Sequence, residues 1–164
     1  MLLGQSNEQL SLLGILDHTH TYSNIIRTEE WVINYPRYDD AEKCARTIQV
    51  NQEDTDEIEA SGFTREESKT VAAPRIAESS YILECRLLWD KPLDESSPWH
   101  LLCGKVQHVA IDDKAIPIEQ SERMSNLKLM YNIRGTINPL NGEYCSPNVI
   151  GLLNRVVDFP AANE

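Results

Sequence analysis

Lysine and arginine are scarce in this chain, 15 against 26 aspartates and glutamates, which leaves a formal net charge of −11. That balance disfavours a nucleic-acid groove or an anionic membrane surface, although a local basic pocket could still form. No run approaches the roughly 18 apolar residues needed to span a bilayer. Residues 1–16 are partly apolar but carry neither a basic leader nor a small-residue cleavage site, so a cytoplasmic location is expected. The seven glycines make no phosphate loop and no dinucleotide fingerprint, and none flanks a serine in a nucleophile elbow. Cys44, Cys85, Cys103 and Cys145 include no CxxC pair and are expected as reduced thiols. His18, His20, His100 and His108 make no metal motif; the first two could share one side of an extended segment, but no third ligand is fixed.

A length of 164 residues suits one domain with a real core. Its clearest pattern is a pair of long strands, 81–89 and 99–111. In the first, Tyr81, Leu83, Cys85, Leu87 and Trp89 share one apolar face, and Ile82, Glu84, Arg86 and Leu88 share a mixed one. Glu84 therefore reads as a packed or paired surface carboxylate. The polar connection through Pro92, Asp94, Ser96, Ser97 and Pro98 makes the two strands antiparallel neighbours. Gly104 in the second strand marks a kink or a close approach of another group.

Upstream, residues 10–16 read as a buried strand ending at Asp17. The hydroxyl-rich stretch after His18 reads as a loop turning into a short helix, with Thr21 or Ser23 as its cap. Residues 31–35 read as a strand stopped by Pro36. Ala41, Cys44, Ala45 and Ile48 recur at helical spacing over 40–49, with Asp39 or Asp40 at the first turn. Glu53, Asp54, Asp56, Glu57 and Glu59 suggest a solvated acidic face that Gly62 ends, without the ligand pattern of a calcium loop. Thr64 and Glu67 have capping-box spacing, which predicts a short helix stopped by Pro74. Asp112, Asp113 and Lys114 suggest a tight turn, and 116–122 is ambiguous around Pro117. Leu127, Leu129 and Tyr131 alternate as in a strand or belong to a short helix with Met124 and Met130. Asn141-Gly142 signals a hairpin, and 149–159 a last strand or a partner-facing tail.

Several segments, in order, resemble the flavin reductase-like family, particularly its flavoredoxin-like branch. They are Thr21-Tyr22-Ser23-Asn24-Ile25, Glu30-Trp31-Val32-Ile33-Asn34-Tyr35-Pro36, Thr55-Asp56-Glu57 and Ala60-Ser61-Gly62-Phe63-Thr64. Pro74-Arg75-Ile76-Ala77-Glu78-Ser79, Leu83-Glu84-Cys85-Arg86-Leu87 and His100-Leu101-Leu102-Cys103-Gly104-Lys105-Val106 complete the series. The resemblance is clearest over residues 10–111. It implies a mainly β fold with helical inserts, an antiparallel split β-barrel of the FMN-binding type. It also implies a homodimer holding FMN near the subunit interface, and electron transfer between a nicotinamide or protein donor, the flavin and an acceptor. By the same resemblance His20, Thr21, Tyr22 and Ser23 approach the flavin or its phosphate, and His100 occupies a strand position near Gly104. Capping or turn formation is the alternative role for the first four, and a satisfied sheet histidine for the last. Family members usually carry a further front portion of strands that holds many flavin-contacting loops, so an incomplete barrel with unpaired edges is expected. A structural protein with a degenerate barrel and an FMN-containing electron carrier are the alternative functions.

Overall fold

The computed structural model describes residues 2–3, 9–49, 55–116, 119, 122, 125–133 and 149–152. Its centre is a five-stranded antiparallel sheet in the order β1-β2-β7-β6-β3. These strands are β1 (Leu2–Leu3), β2 (Leu10–Leu16), β3 (Glu30–Tyr35), β6 (Tyr81–Pro92) and β7 (Trp99–Ile111). The two long strands are neighbours as expected, and β6 continues three residues beyond Trp89, taking Pro92 out of the connection. Residues 10–16 and 31–35 are strands of the same sheet, paired to β7 and β6.

The β6–β7 ladder contains two irregularities. Glu84 faces His108 and Cys85 faces Val106, leaving Gln107 as an extra residue on β7. Leu87 faces Gly104 and Trp89 faces Cys103, leaving Leu88 as an extra residue on β6. A bulge reverses the inward and outward alternation beyond it. The expectation that Trp89 continues the core face is therefore overturned: Trp89 is exposed, and Asp90, opposite the fully buried Leu102, takes its place.

The core forms on one face of the sheet from Trp31, Leu83, Cys85 and Leu102, closed by Ile25 of helix α1 (His20–Thr28). Trp31 starts on β3 and lays its indole against Gly104 of β7, on the far side of β6. A side chain bridges two strand spacings in this way only if the sheet curls around it. A Cβ on Gly104 would lie 2.1 Å from Trp31 Cη2, so the glycine is required by close approach.

Glu84 is not a surface residue, because the segment 68–76 folds over its face of β6 and leaves it 0% exposed. The carboxylate accepts from Lys69 N (2.8 Å), Thr70 N (2.6 Å), Thr70 Oγ1 (2.5 Å) and Arg75 Nε (2.6 Å). Burial raises the carboxyl, but donation by Thr70, Lys69 and Arg75 outweighs it and holds the group at about 2. The helix predicted from Thr64 and Glu67 is absent. Thr64 gives its N–H and hydroxyl to Glu78 instead, and β4 (Arg65–Glu66) pairs with β5 (Arg75–Ile76).

Helix α2 (Ala41–Gln49) lies where expected, preceded by a 3-10 turn, Tyr38–Asp40. Helix α3 (Glu57–Ser61) is capped by Asp56, whose carboxylate also meets Arg65, so the acidic run is partly structural. Glu53 and Asp54 lie outside the described residues. The expected turn after Ile111 is a 3-10 helix, Asp113–Ala115, and Ala115, Leu127 and Leu129 make a small second core beside Tyr35. Strands β8 (Met130–Ile133) and β9 (Val149–Leu152) pair with each other. The Asn141-Gly142 hairpin and most of 116–122 lie outside the described residues, as does Cys145. Cys44, Cys85 and Cys103 are free thiols, and burial pushes Cys85 up to about 11.

Candidate functional site

The chain leaves β2 through a tight turn and enters α1 at once. Asp17 N–H bonds to Pro98 O at 2.9 Å, and Thr19 gives both its N–H and its hydroxyl to Leu16 O. Thr19 is the helix cap, in place of the expected Thr21 or Ser23: its hydroxyl accepts from Tyr22 N at 3.2 Å. Its carbonyl accepts from Ser23 N at 3.1 Å. The N–H groups of His20 and Thr21 remain without a described acceptor, as the first turn of a helix leaves them. The side chains of His20, Thr21 and Ser23 are exposed around the same turn, with no described partner. Two amides, two hydroxyls and an imidazole at the positive end of a nine-residue helix form a donor set that suits a phosphate monoester.

Tyr22 turns the other way, toward the sheet. Its hydroxyl donates to Asp90 Oδ2 at 2.8 Å and lies 3.1 Å from His100 Nδ1. His100 Nδ1 is 2.7 Å from Asp90 Oδ1, and the tyrosine and imidazole rings meet edge to face at 4.8 Å. Burial, the bond to Asp90, and the charges of Asp90 and Asp17 push the Tyr22 phenol up to about 12, so it stays protonated. Three elements thus supply one cluster: Tyr22 from α1, Asp90 from β6 and His100 from β7. Of the five residues singled out in the sequence, Tyr22 and His100 come together, while His20, Thr21 and Ser23 lie on the adjoining exposed turn.

A separate cleft of about 930 Å³ opens against the other face of the sheet. Ile82, His108 and Ala110 contribute to its floor, with Arg37, Lys69 and Glu78 among its lining. Arg37 is paired with Asp112 at 2.9 Å, and Lys43 reaches Glu78 at 3.1 Å. Cations and anions therefore alternate around the cleft, which selects no single ligand charge. No group of three or more metal-ligating side chains occurs among the described residues. No described helix is long and apolar enough to cross a membrane.

Residues 7–134 match the flavin reductase like domain family. The chain belongs to that family. An uncharacterised protein of Aquifex aeolicus is 29% identical over 124 residues, which cover 76% of this chain and 58% of that protein. The chain thus spans less than two thirds of this curated relative. Among solved structures, a split-barrel domain protein of Shewanella frigidimarina, provisionally named a flavin reductase, superposes with a TM-score of 0.78 at 21% identity. It covers 99% of this chain and 75% of that one. Flavoredoxin of Desulfovibrio vulgaris gives a TM-score of 0.69 at 13% identity, over 94% and 75% of the two chains. At these identities the structures establish the fold, and the curled antiparallel sheet is that of a split barrel.

Asp90 is the member of the cluster that sequence reading missed in this flavin reductase-like chain. It lies one residue past the strand as first bounded, and strict alternation would have turned it away from Tyr22 and His100. The consecutive apolar residues Leu87, Leu88 and Trp89 are the signal that could have revealed the bulge.

Proposed function

We propose that this protein is an FMN-binding, flavin-dependent oxidoreductase whose flavin site lies at the first turn of α1 and the neighbouring end of β7. One observation carries the reading: Tyr22 and His100, 78 positions apart and both singled out by the family resemblance, are in direct contact. In this reading the free amides of His20 and Thr21 and the hydroxyls of Thr21 and Ser23 grip the phosphate, and His100 lies beside the bound group. The flavin itself would supply the hydride and single-electron chemistry. The residues of this chain bind it, orient it and fix protons around it. The phosphate grip needs only convergent donors, so the lack of a glycine-rich loop is no obstacle.

A homodimer, with a nicotinamide or a protein as electron donor, completes the reading. Trp89, Trp99, Leu88 and Leu93 are exposed around the β6–β7 connection and give a second copy apolar surface to bury. The test is titration of the full chain with FMN and with FAD, with molar mass followed by light scattering. Saturable FMN binding at low micromolar Kd, about −8 kcal/mol, supports the site. Anaerobic bleaching by a reduced nicotinamide supports the reductase over an electron carrier. A folded protein that binds neither flavin overturns the proposal, and preference for FAD overturns the FMN assignment.

A further inference from the structure

The proton positions in the Tyr22–Asp90–His100 cluster follow from donor and acceptor capacity. A carboxylate only accepts. The single Tyr22 hydroxyl proton is committed to Asp90 Oδ2 at 2.8 Å, which leaves the phenolic oxygen as an acceptor on its other side. His100 Nδ1 therefore faces two acceptors, Asp90 Oδ1 at 2.7 Å and the Tyr22 oxygen at 3.1 Å. A bare nitrogen lone pair there would oppose a carboxylate at hydrogen-bond distance, so Nδ1 carries the proton. His100 Nε2 makes no hydrogen bond to a described residue, and the side chain keeps 17% of its surface exposed. The cluster is braced on three elements, and the bulge at Leu88 places Asp90 within reach.

We propose that Asp90 is a positioning residue that, with Tyr22, fixes the proton of neutral His100 on Nδ1 and so presents Nε2 as a hydrogen-bond acceptor to an N–H donor of a bound heteroaromatic ligand. Fixing one ring nitrogen with a carboxylate sets the role of the other, as carboxylates bonded to metal-binding histidines do in other proteins. The inference rests on the flavin reading only for the identity of the ligand, whose ring imide is such a donor.

The experiment is long-range ¹H–¹⁵N correlation of the histidine rings in the ligand-free full chain, at a pH where His100 is neutral. His100→Gln supplies the assignment, and Asp90→Asn and Tyr22→Phe are compared with the wild type. Expected is a pyrrole-type Nδ1 and a pyridine-type Nε2 in the wild type, a shift toward the Nε2–H tautomer in Asp90→Asn, and roughly tenfold weaker FMN binding by that variant, about 1.4 kcal/mol. A wild-type His100 protonated on Nε2 overturns the inference, and so does an Asp90→Asn variant with an unchanged tautomer. A merely structural Asp90 would lower the melting temperature and leave the tautomer where it was. If Asp90→Asn fails to fold, the wild-type tautomer decides alone. A wild type with Nδ1–H that binds no flavin upholds the positioning role and overturns the ligand assignment.

Discussion

Replacing Gly104 by alanine tests the curled sheet at its tightest point. The added Cβ would lie 2.1 Å from Trp31 Cη2 and 2.5 Å from Cζ2. Carbon atoms pack comfortably at about 3.5–4.0 Å, so the indole must retreat by about 1.5 Å. Trp31 is 5% exposed and is held in a core with Leu83, Cys85 and Leu102, so a retreat of that size disturbs its neighbours. Overpacking of this kind costs about 1–3 kcal/mol, and the rigid ring and buried site place this variant near the upper end. For a chain of this size the melting temperature should fall by about 6–12 °C, at about 2–4 °C per kcal/mol. Urea and thermal unfolding of wild type, Gly104→Ala, Trp31→Leu and the double variant give the complete cycle. Once the ring is gone the methyl has room, so the double variant should be more stable than the two single losses predict, by about 1 kcal/mol or more. A Gly104→Ala protein within about 0.5 kcal/mol of wild type, or an additive cycle, would refute the packing argument.

Glu84 gives a pH test. Its carboxyl is held at about 2 from an ordinary 4.5, so its share of stability is complete above pH 4.5 and is lost as pH falls toward 2. That shift corresponds to roughly 3 kcal/mol, and Glu84→Gln should cost about 3–5 kcal/mol at neutral pH by leaving Arg75 unpaired. The gap between the two proteins in urea melts should close on acidification, and a gap independent of pH would contradict the assignment. Thr19→Ala should destabilise the chain by about 1 kcal/mol through loss of the α1 cap, whereas Thr21→Ala and Ser23→Ala should change stability by less than about 0.5 kcal/mol. The latter two should each weaken FMN binding roughly tenfold, since a hydrogen bond to a charged group contributes about 1.5–3 kcal/mol; unchanged affinity in both would remove the phosphate grip. Cys85, buried and pushed up to about 11, should resist thiol reagents at neutral pH until the protein unfolds, and rapid labelling of the native state would count against its burial.

The four longer strands of the sheet were legible because period-2 alternation is strong where one face is buried, and α2 was legible from its helical spacing. The errors share a physical origin. Thr19, Thr21 and Ser23 offer similar hydroxyls within five residues, and only the turn held by Leu16 and Pro98 selects Thr19 as the cap. The capping-box spacing of Thr64 and Glu67 lost to a longer-range partner, Glu78. Glu84 is paired as expected but is not on the surface, because alternation cannot foresee a segment from 68–76 folding over it. Asp90 was hidden by a single extra residue. Within the candidate site, the family resemblance located the two segments, and the structure alone supplied their contact.

The two irregularities of the β6–β7 ladder cancel. The pairs from Tyr81↔Ile111 to Glu84↔His108 and those from Trp89↔Cys103 to Pro92↔His100 keep one common register, and the three pairs between them are offset by one. The ladder thus behaves like a lattice with two dislocations of opposite sign. Flattening Leu88 into the ladder as a regular residue would turn Trp89 inward and Asp90 outward, whereas deleting it would leave Trp89 opposite Cys103 and Asp90 opposite Leu102. Loss of Leu88 together with Gln107 would annihilate the pair and leave one uninterrupted ladder with the same facing residues. Each extra residue is therefore removable without moving a side chain across the sheet, whereas an insertion elsewhere in either strand needs a new bulge to keep its phase.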